Sequence, residues 1–195
     1  MNSPETSGPV RKATTSPGRA DARRNHEQVV AAAVDLFREH GSLVTIPQIA
    51  AKAQVGKATV YRSFATKEDL IESITQLGLD ELAQRTARAR HEADPYEAFR
   101  VYVFELFDVL ACDRLLAERL ADAVSQTALP LLEPLVEIME TARATGKLRE
   151  DATPLDLRVL LCGAALQLVR LEERDPVLWR RYAAMALRAL CRCPH

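Results

Sequence analysis

Glycine is scarce in this chain: seven residues among 195, spread singly along its length. That leaves no material for a glycine-rich phosphate-binding loop. Aromatic residues are few, at 5%. Long apolar runs are missing too. The longest, residues 159–169, falls far short of the roughly 20 residues that a bilayer-spanning helix needs, so no membrane partner is expected. Residues 1–24 are polar and lack the apolar segment of a signal peptide, so the chain is expected in the cytoplasm with its thiols reduced. There are four cysteines. Cys112 and Cys162 lie in apolar helical patterns and read as small core residues. Cys191 and Cys193, followed by His195, have a spacing that fits no usual zinc pair, so no metal site is expected. The histidines His26, His40, His91 and His195 share no partner pattern. No Ser/His/Asp signature and no metal-binding helix motif occurs, so no catalytic residues and no cofactor are expected, and the chain does not read as an enzyme.

What is abundant points one way. Hydrophobic residues make up 48% of the chain, enough for a sizeable core. Ala, Leu, Arg and Glu dominate, and all are strong helix formers. With no strand pattern and no internal repeat, the fold is expected to be all-α with about nine helices. The net charge of −1 gives no direction by itself, but its distribution does. Residues 1–70 hold ten Lys/Arg against seven Asp/Glu, and the remainder holds sixteen against twenty. A basic front joined to an acidic back suits a nucleic-acid reader attached to something else.

Residues 1–24, rich in Ser, Thr, Pro, Gly and Arg, read as a disordered basic arm carrying Arg11, Lys12, Arg19, Arg23 and Arg24. Helical periodicity starts at residue 25 and runs to 40, where Gly41 supplies a stop. Thr45-Ile-Pro-Gln48 has the form of a capping box and opens a short helix to about residue 54. Gly56 then caps a second short helix over 57–64. Two short helices joined by a tight turn are the layout of a helix-turn-helix. A fourth helix, capped by Thr66, is expected to continue to about residue 91. Further helices are expected over 96–111, 114–125, 131–146, 153–173 and 176–190. The domains read as the arm, a DNA-binding domain over 25–72 and a larger helical domain over 73–195.

The helix over 57–64 has the chemistry of a major-groove reader. Lys57, Ala58 and Thr59 are small or flexible residues at its start, where the backbone must come close to the bases. Lys57 suits guanine or phosphate, and the methyl groups of Ala58 and Thr59 suit a thymine methyl. Tyr61 combines an apolar ring with a hydroxyl for phosphate, and Arg62 extends the basic edge. Thr45 and Lys67 stand at helix N-termini, where phosphate is favoured, and Gln48 either reaches the DNA backbone or remains a cap. Val55, Val60, Phe64 and Ile49 are core. Double-stranded DNA is the expected partner.

The stretch over 45–70 resembles the TetR family of bacterial regulators. The matching residues are Thr45, Ile49-Ala50, Ala53-Gln54-Val55, Ala58-Thr59-Val60-Tyr61, Phe64 and Lys67, with Ala31-Ala32-Ala33, Leu36-Phe37 and Gly41 upstream. Two departures stand out. Gln54 occupies a position where the family usually has Gly, and Gly56 one where Ser or Thr is usual. That pair implies a turn whose flexible residue has moved two positions. The resemblance implies a transcription regulator, most simply a repressor that an unknown small-molecule effector releases from a palindromic operator. It also implies a homodimer built from the last two helices, here through Leu157, Leu161, Ala164, Leu168, Tyr182 and Met185. It implies a ligand pocket among the middle helices, for which the apolar residues are Phe99, Tyr102, Phe107, Leu120, Val124, Leu135 and Met139. Two other readings compete: a helical enzyme, and a protein-interaction module of the same fold without DNA binding.

Overall fold

The computed structural model describes residues 17–121 and 129–192. Among them are nine α-helices: α1 (Pro17–His40), α2 (Ile46–Lys52), α3 (Lys57–Ser63), α4 (Lys67–Thr86), α5 (Pro95–Cys112), α6 (Arg114–Ala121), α7 (Leu129–Ala144), α8 (Pro154–Arg170) and α9 (Pro176–Leu190). The described residues form no strand; Leu148 and Cys191 make one isolated antiparallel bridge. The all-α expectation holds.

Helix starts are set by side-chain caps. Thr66 Oγ1 accepts from the Asp69 amide at 3.0 Å, and Asp69 Oδ2 accepts from the Thr66 amide at 2.9 Å. Thr153 and Asp156 repeat this reciprocal arrangement at α8. Asp94 and Asp175 each accept from an amide two residues on, with Pro at the first helical position of α5 and α9. Each such cap is worth about 1 kcal/mol.

Three boundaries differ from the sequence reading. Residues 17–24, expected to be disordered, lie in α1; residues 1–16 of the expected arm lie outside the described residues. Extending an already nucleated helix costs little, and Arg23 pairs with Glu27 one turn on, at 3.5 Å. The fourth helix gives way at Thr86 to a 3-10 turn over Ala87–His91. There the Thr86 hydroxyl donates to the Leu82 carbonyl at 2.8 Å, a side-chain bond that loosens the helix end. The helix over 153–173 stops at Arg170, because Glu172 takes a left-handed conformation at φ 55°.

The helices enclose two cores. The head, built from α1–α3 and the start of α4, buries Val29, Phe37, Ile49, Val60 and Leu70 completely. The body gathers α5–α9 around Phe99, Phe107, Leu120, Leu161 and Trp179. The Trp179 ring stands edge-on to Phe107 with centroids 6.0 Å apart, and its Nε1–H donates to the Glu173 carbonyl at 3.0 Å. Of the two cysteines expected in the core, Cys162 is buried, but Cys112 is exposed because it closes α5 at the surface. The Sγ of Cys191 lies 3.1 Å from the Tyr96 hydroxyl; Cys193 and His195 lie outside the described residues. Burial and that thiol contact push the Tyr96 hydroxyl up to about 12. No helix among the described residues is long and apolar enough to cross a membrane.

Candidate nucleic-acid interface

Helix α3 is seven residues long, and Val60 is its one buried residue. Val60 is fully buried in the head core, while Lys57, Ala58, Tyr61 and Arg62 are exposed and Thr59 is half-buried. The 3.6-residue period therefore puts the anchor on one side and the reading candidates on the other. Tyr61 leaves 53% of its surface open, unusual for an aromatic ring outside an interface. The far end of α3 is braced by His26 of α1, whose ring stacks on Phe64 with centroids 5.3 Å apart. The sequence offered no sign of this contact, because a lone histidine 38 positions away carries no periodic signal.

The turn before α3 corrects the expectation of a shifted flexible residue. The left-handed residue is Gln54 itself, at φ 57°, and Gly56 is extended at φ −74°. The hydrogen bonds supply the reason. The Val55 amide donates to the Ala50 carbonyl at 3.0 Å and the Gln54 amide to the Ala51 carbonyl at 3.2 Å. This is the Schellman ending of α2, which requires the left-handed conformation at the position that Gln54 fills. Gly56 serves as the N-cap of α3, its carbonyl accepting from the Thr59 amide at 2.8 Å.

Thr45, Gln48, Arg62 and Lys67 are already engaged. Gln48 Oε1 accepts from both the amide and the hydroxyl of Thr45, each at 2.8 Å, so Gln48 remains a cap. Arg62 folds back along its own helix, donating to the Ala58 carbonyl at 3.2 Å and the Thr59 hydroxyl at 3.1 Å. Lys67 Nζ donates to the Ser42 carbonyl at 2.6 Å. Among the described residues Lys57 makes no ion pair and no side-chain hydrogen bond, which leaves its ammonium available to an incoming anion.

An exposed basic and aromatic face thus lies on a short helix set after a tight turn. Residues 29–74 match the family model of the bacterial regulatory proteins of the tetR family. The head is a TetR-family domain. A TetR transcriptional regulator of Streptomyces coelicolor is 27% identical, with a TM-score of 0.59 over 87% of this chain and 99% of that one. The fatty acid degradation regulator FadR of Bacillus halodurans is 22% identical, with a TM-score of 0.62 over 85% and 99%. The regulator RolR, solved in complex with resorcinol, is 18% identical, with a TM-score of 0.61 over 88% and 90%. No curated protein sequence matches the chain. The TetR-like fold, a helix-turn-helix head followed by a helical body, thus covers most of the chain.

Behind the TetR-family head, the residues expected at a ligand pocket come together. Phe99, Tyr102, Phe107, Leu120, Leu135 and Met139 share the body core and are all buried; Val124 lies outside the described residues. The residues expected at a dimer face divide. Tyr182 and Met185 are exposed and Ala164 is half-buried, but Leu157, Leu161 and Leu168 point into the body core and leave no surface for a partner. The outward apolar residues of α8 are instead Leu155 and Val159, one turn apart and 68% and 62% exposed.

Proposed function

We propose that this chain is a cytoplasmic transcription regulator that reads double-stranded DNA with α3, presented twice by a homodimer. The observation that carries the reading is the two-sided α3: Val60 locked into the head core, with Lys57, Ala58 and Tyr61 outward. One such head makes too few contacts for tight specific binding. A two-fold pair reads half-sites about 34–36 Å apart, or a multiple of that spacing, and so calls for a palindromic operator. The exposed apolar side chains Leu155, Val159, Tyr182 and Met185, on the mutually packed helices α8 and α9, support pairing through those helices, since large apolar side chains left open on adjacent elements are a mark of interfaces.

The regulator acts as a repressor by covering a promoter, and a small-molecule effector relieves it. The aromatic cluster of the body supports an apolar or aromatic effector, as does the likeness to RolR, which was solved with resorcinol. The effector favours a body conformation in which the two heads no longer match the groove spacing.

The test is selection of bound duplexes from random DNA, followed by a fluorescence titration over rising salt. A palindromic consensus with affinity falling steeply in salt supports the reading. Binding that ignores both sequence and salt overturns it.

A further inference from the structure

Helix α6 belongs to the body by position, yet this helix and the residue before it reach the head through Asp113, Leu115 and Glu118, and the middle of α4 through Leu116. Asp113, which caps α6 through the Leu116 amide at 3.0 Å, lies 3.4 Å from Arg38 of α1. Leu115 is part of the head core. Leu116 fills the notch at Gly78 of α4, where an added Cβ would meet its Cδ1 at 2.8 Å. Glu118 Oε2 accepts from the Ser42 amide at 2.8 Å.

The last contact is the most consequential. Ser42 lies in the 3-10 turn between α1 and α2, and its carbonyl is the acceptor for Lys67. The peptide units around Ser42 are thus held from both sides, by a carboxylate of the body and by an ammonium at the start of α4. Gly41 makes room for this arrangement. It sits at φ 65°, and a Cβ there would come to 2.6 Å from Glu118 Cδ. Arg114, one turn before Glu118, fixes the carboxylate from behind at 3.0 Å, and both side chains are about four-fifths covered.

We infer that Glu118 is a positioning residue for DNA reading: through Ser42 it sets the α1–α2 turn and places the Lys67 ammonium, a role that presupposes the DNA-reading function proposed above. It gives the body a second hold on the head, separate from the continuous helix α4. A carboxylate and an ammonium that share one turn have coupled positions, so a movement of α6 reaches Lys67 without bending α4.

The experiment compares Glu118→Ala and Glu118→Gln with the parent, each alone and combined with Lys67→Gln, in the full chain. Amide hydrogen exchange at Ser42 in the DNA-free protein reads the contact itself, and titration of the selected duplex reads its consequence. The expected result is fast exchange at Ser42 and about tenfold weaker DNA binding in E118A, within the usual range of inter-site coupling. E118Q, whose amide oxygen still accepts the hydrogen bond, retains most of both. The E118A and K67Q losses are expected to be non-additive, which a merely structural loss would not produce. Unchanged exchange at Ser42 overturns the inference whatever the DNA does. Faster exchange with unchanged affinity, or with additive losses, overturns it as well. If the parent binds no duplex while exchange still responds, the DNA reading itself falls, and Glu118 is left as a structural hydrogen-bond acceptor only.

Discussion

Leu115 and Leu116, adjacent in α6, bury their side chains in different cores: the first among the head residues, the second among those of the body. Neighbouring helical positions differ by about 100° in direction, so one turn of helix can serve two domains. Each residue is only 1% exposed, so neither domain surrenders α6 without opening a cavity. Leu115→Ala is therefore expected to cost about 2–5 kcal/mol and to loosen the head first. Denaturant unfolding followed by hydrogen exchange at head amides checks both parts.

The left-handed Gln54 predicts a stabilising substitution. A non-glycine residue in this region carries about 1–2 kcal/mol of steric cost, partly offset by the extra freedom that glycine gives the unfolded chain. Gln54→Gly should raise stability by about 0.5–1 kcal/mol, seen as a higher denaturation midpoint at unchanged slope. A lower midpoint would mean that the Gln54 side chain makes a compensating contact.

On α3, Lys57→Ala should leave thermal stability unchanged, because the side chain is exposed and makes no ion pair among the described residues. Affinity for the selected duplex should fall about tenfold or more if the ammonium reads guanine. If it meets phosphate, the loss should be uniform across sequences and the salt slope shallower by about one. Titration of matched and mismatched duplexes at several salt concentrations separates the two contacts.

The proposed dimer face can be tested by placing charge at outward positions of α8 and α9 and at an inward position of α8. Val159→Glu and Met185→Glu are expected to yield folded monomers in sedimentation experiments, since both side chains point outward. Leu161→Glu, at a fully buried position, should unfold the body instead. A dimer that survives both outward substitutions would place the interface elsewhere.

Asp113 predicts a dependence on pH. Burial, the largest influence, raises its carboxyl above the ordinary value, against the opposing pull of the Leu116 amide and Arg38. A raised carboxyl favours the folded state while protonated, so its contribution is full below about pH 3.8 and is lost as pH rises through the folded value. Asp113→Asn keeps the cap and removes the charge. It should be at least as stable as the parent at pH 7, with the difference shrinking on acidification. Paired unfolding curves from pH 3.5 to pH 7 provide the check.

These cases show what the sequence made legible and what it did not. Caps, helix starts and the outward side of α3 are local properties, and Thr45, Thr66 and Lys57 announced them through residue type and spacing. The turn before α3 departs from what the resemblance implies because a displaced glycine does not move the turn: the Schellman hydrogen bonds fix the left-handed position by count from the end of α2. Helix α8 defeated periodicity for another reason. Its apolar residues occur on every side, so Leu157 and Val159 look equivalent in sequence although only one faces the core. The Glu118–Ser42 contact, 76 positions apart, lies beyond any local pattern.

Trp179 is the sole tryptophan in the chain, and its packing against Phe107 has a practical corollary. The indole touches α5 and the connection between α8 and α9 and belongs to the body core, whereas α3 is anchored in the head core. Its fluorescence is thus an unlabelled optical gauge of the body alone. Intrinsic emission should register an occupant entering the aromatic cluster while remaining nearly blind to duplex docking at α3. The two halves of the molecule can then be followed separately in one cuvette.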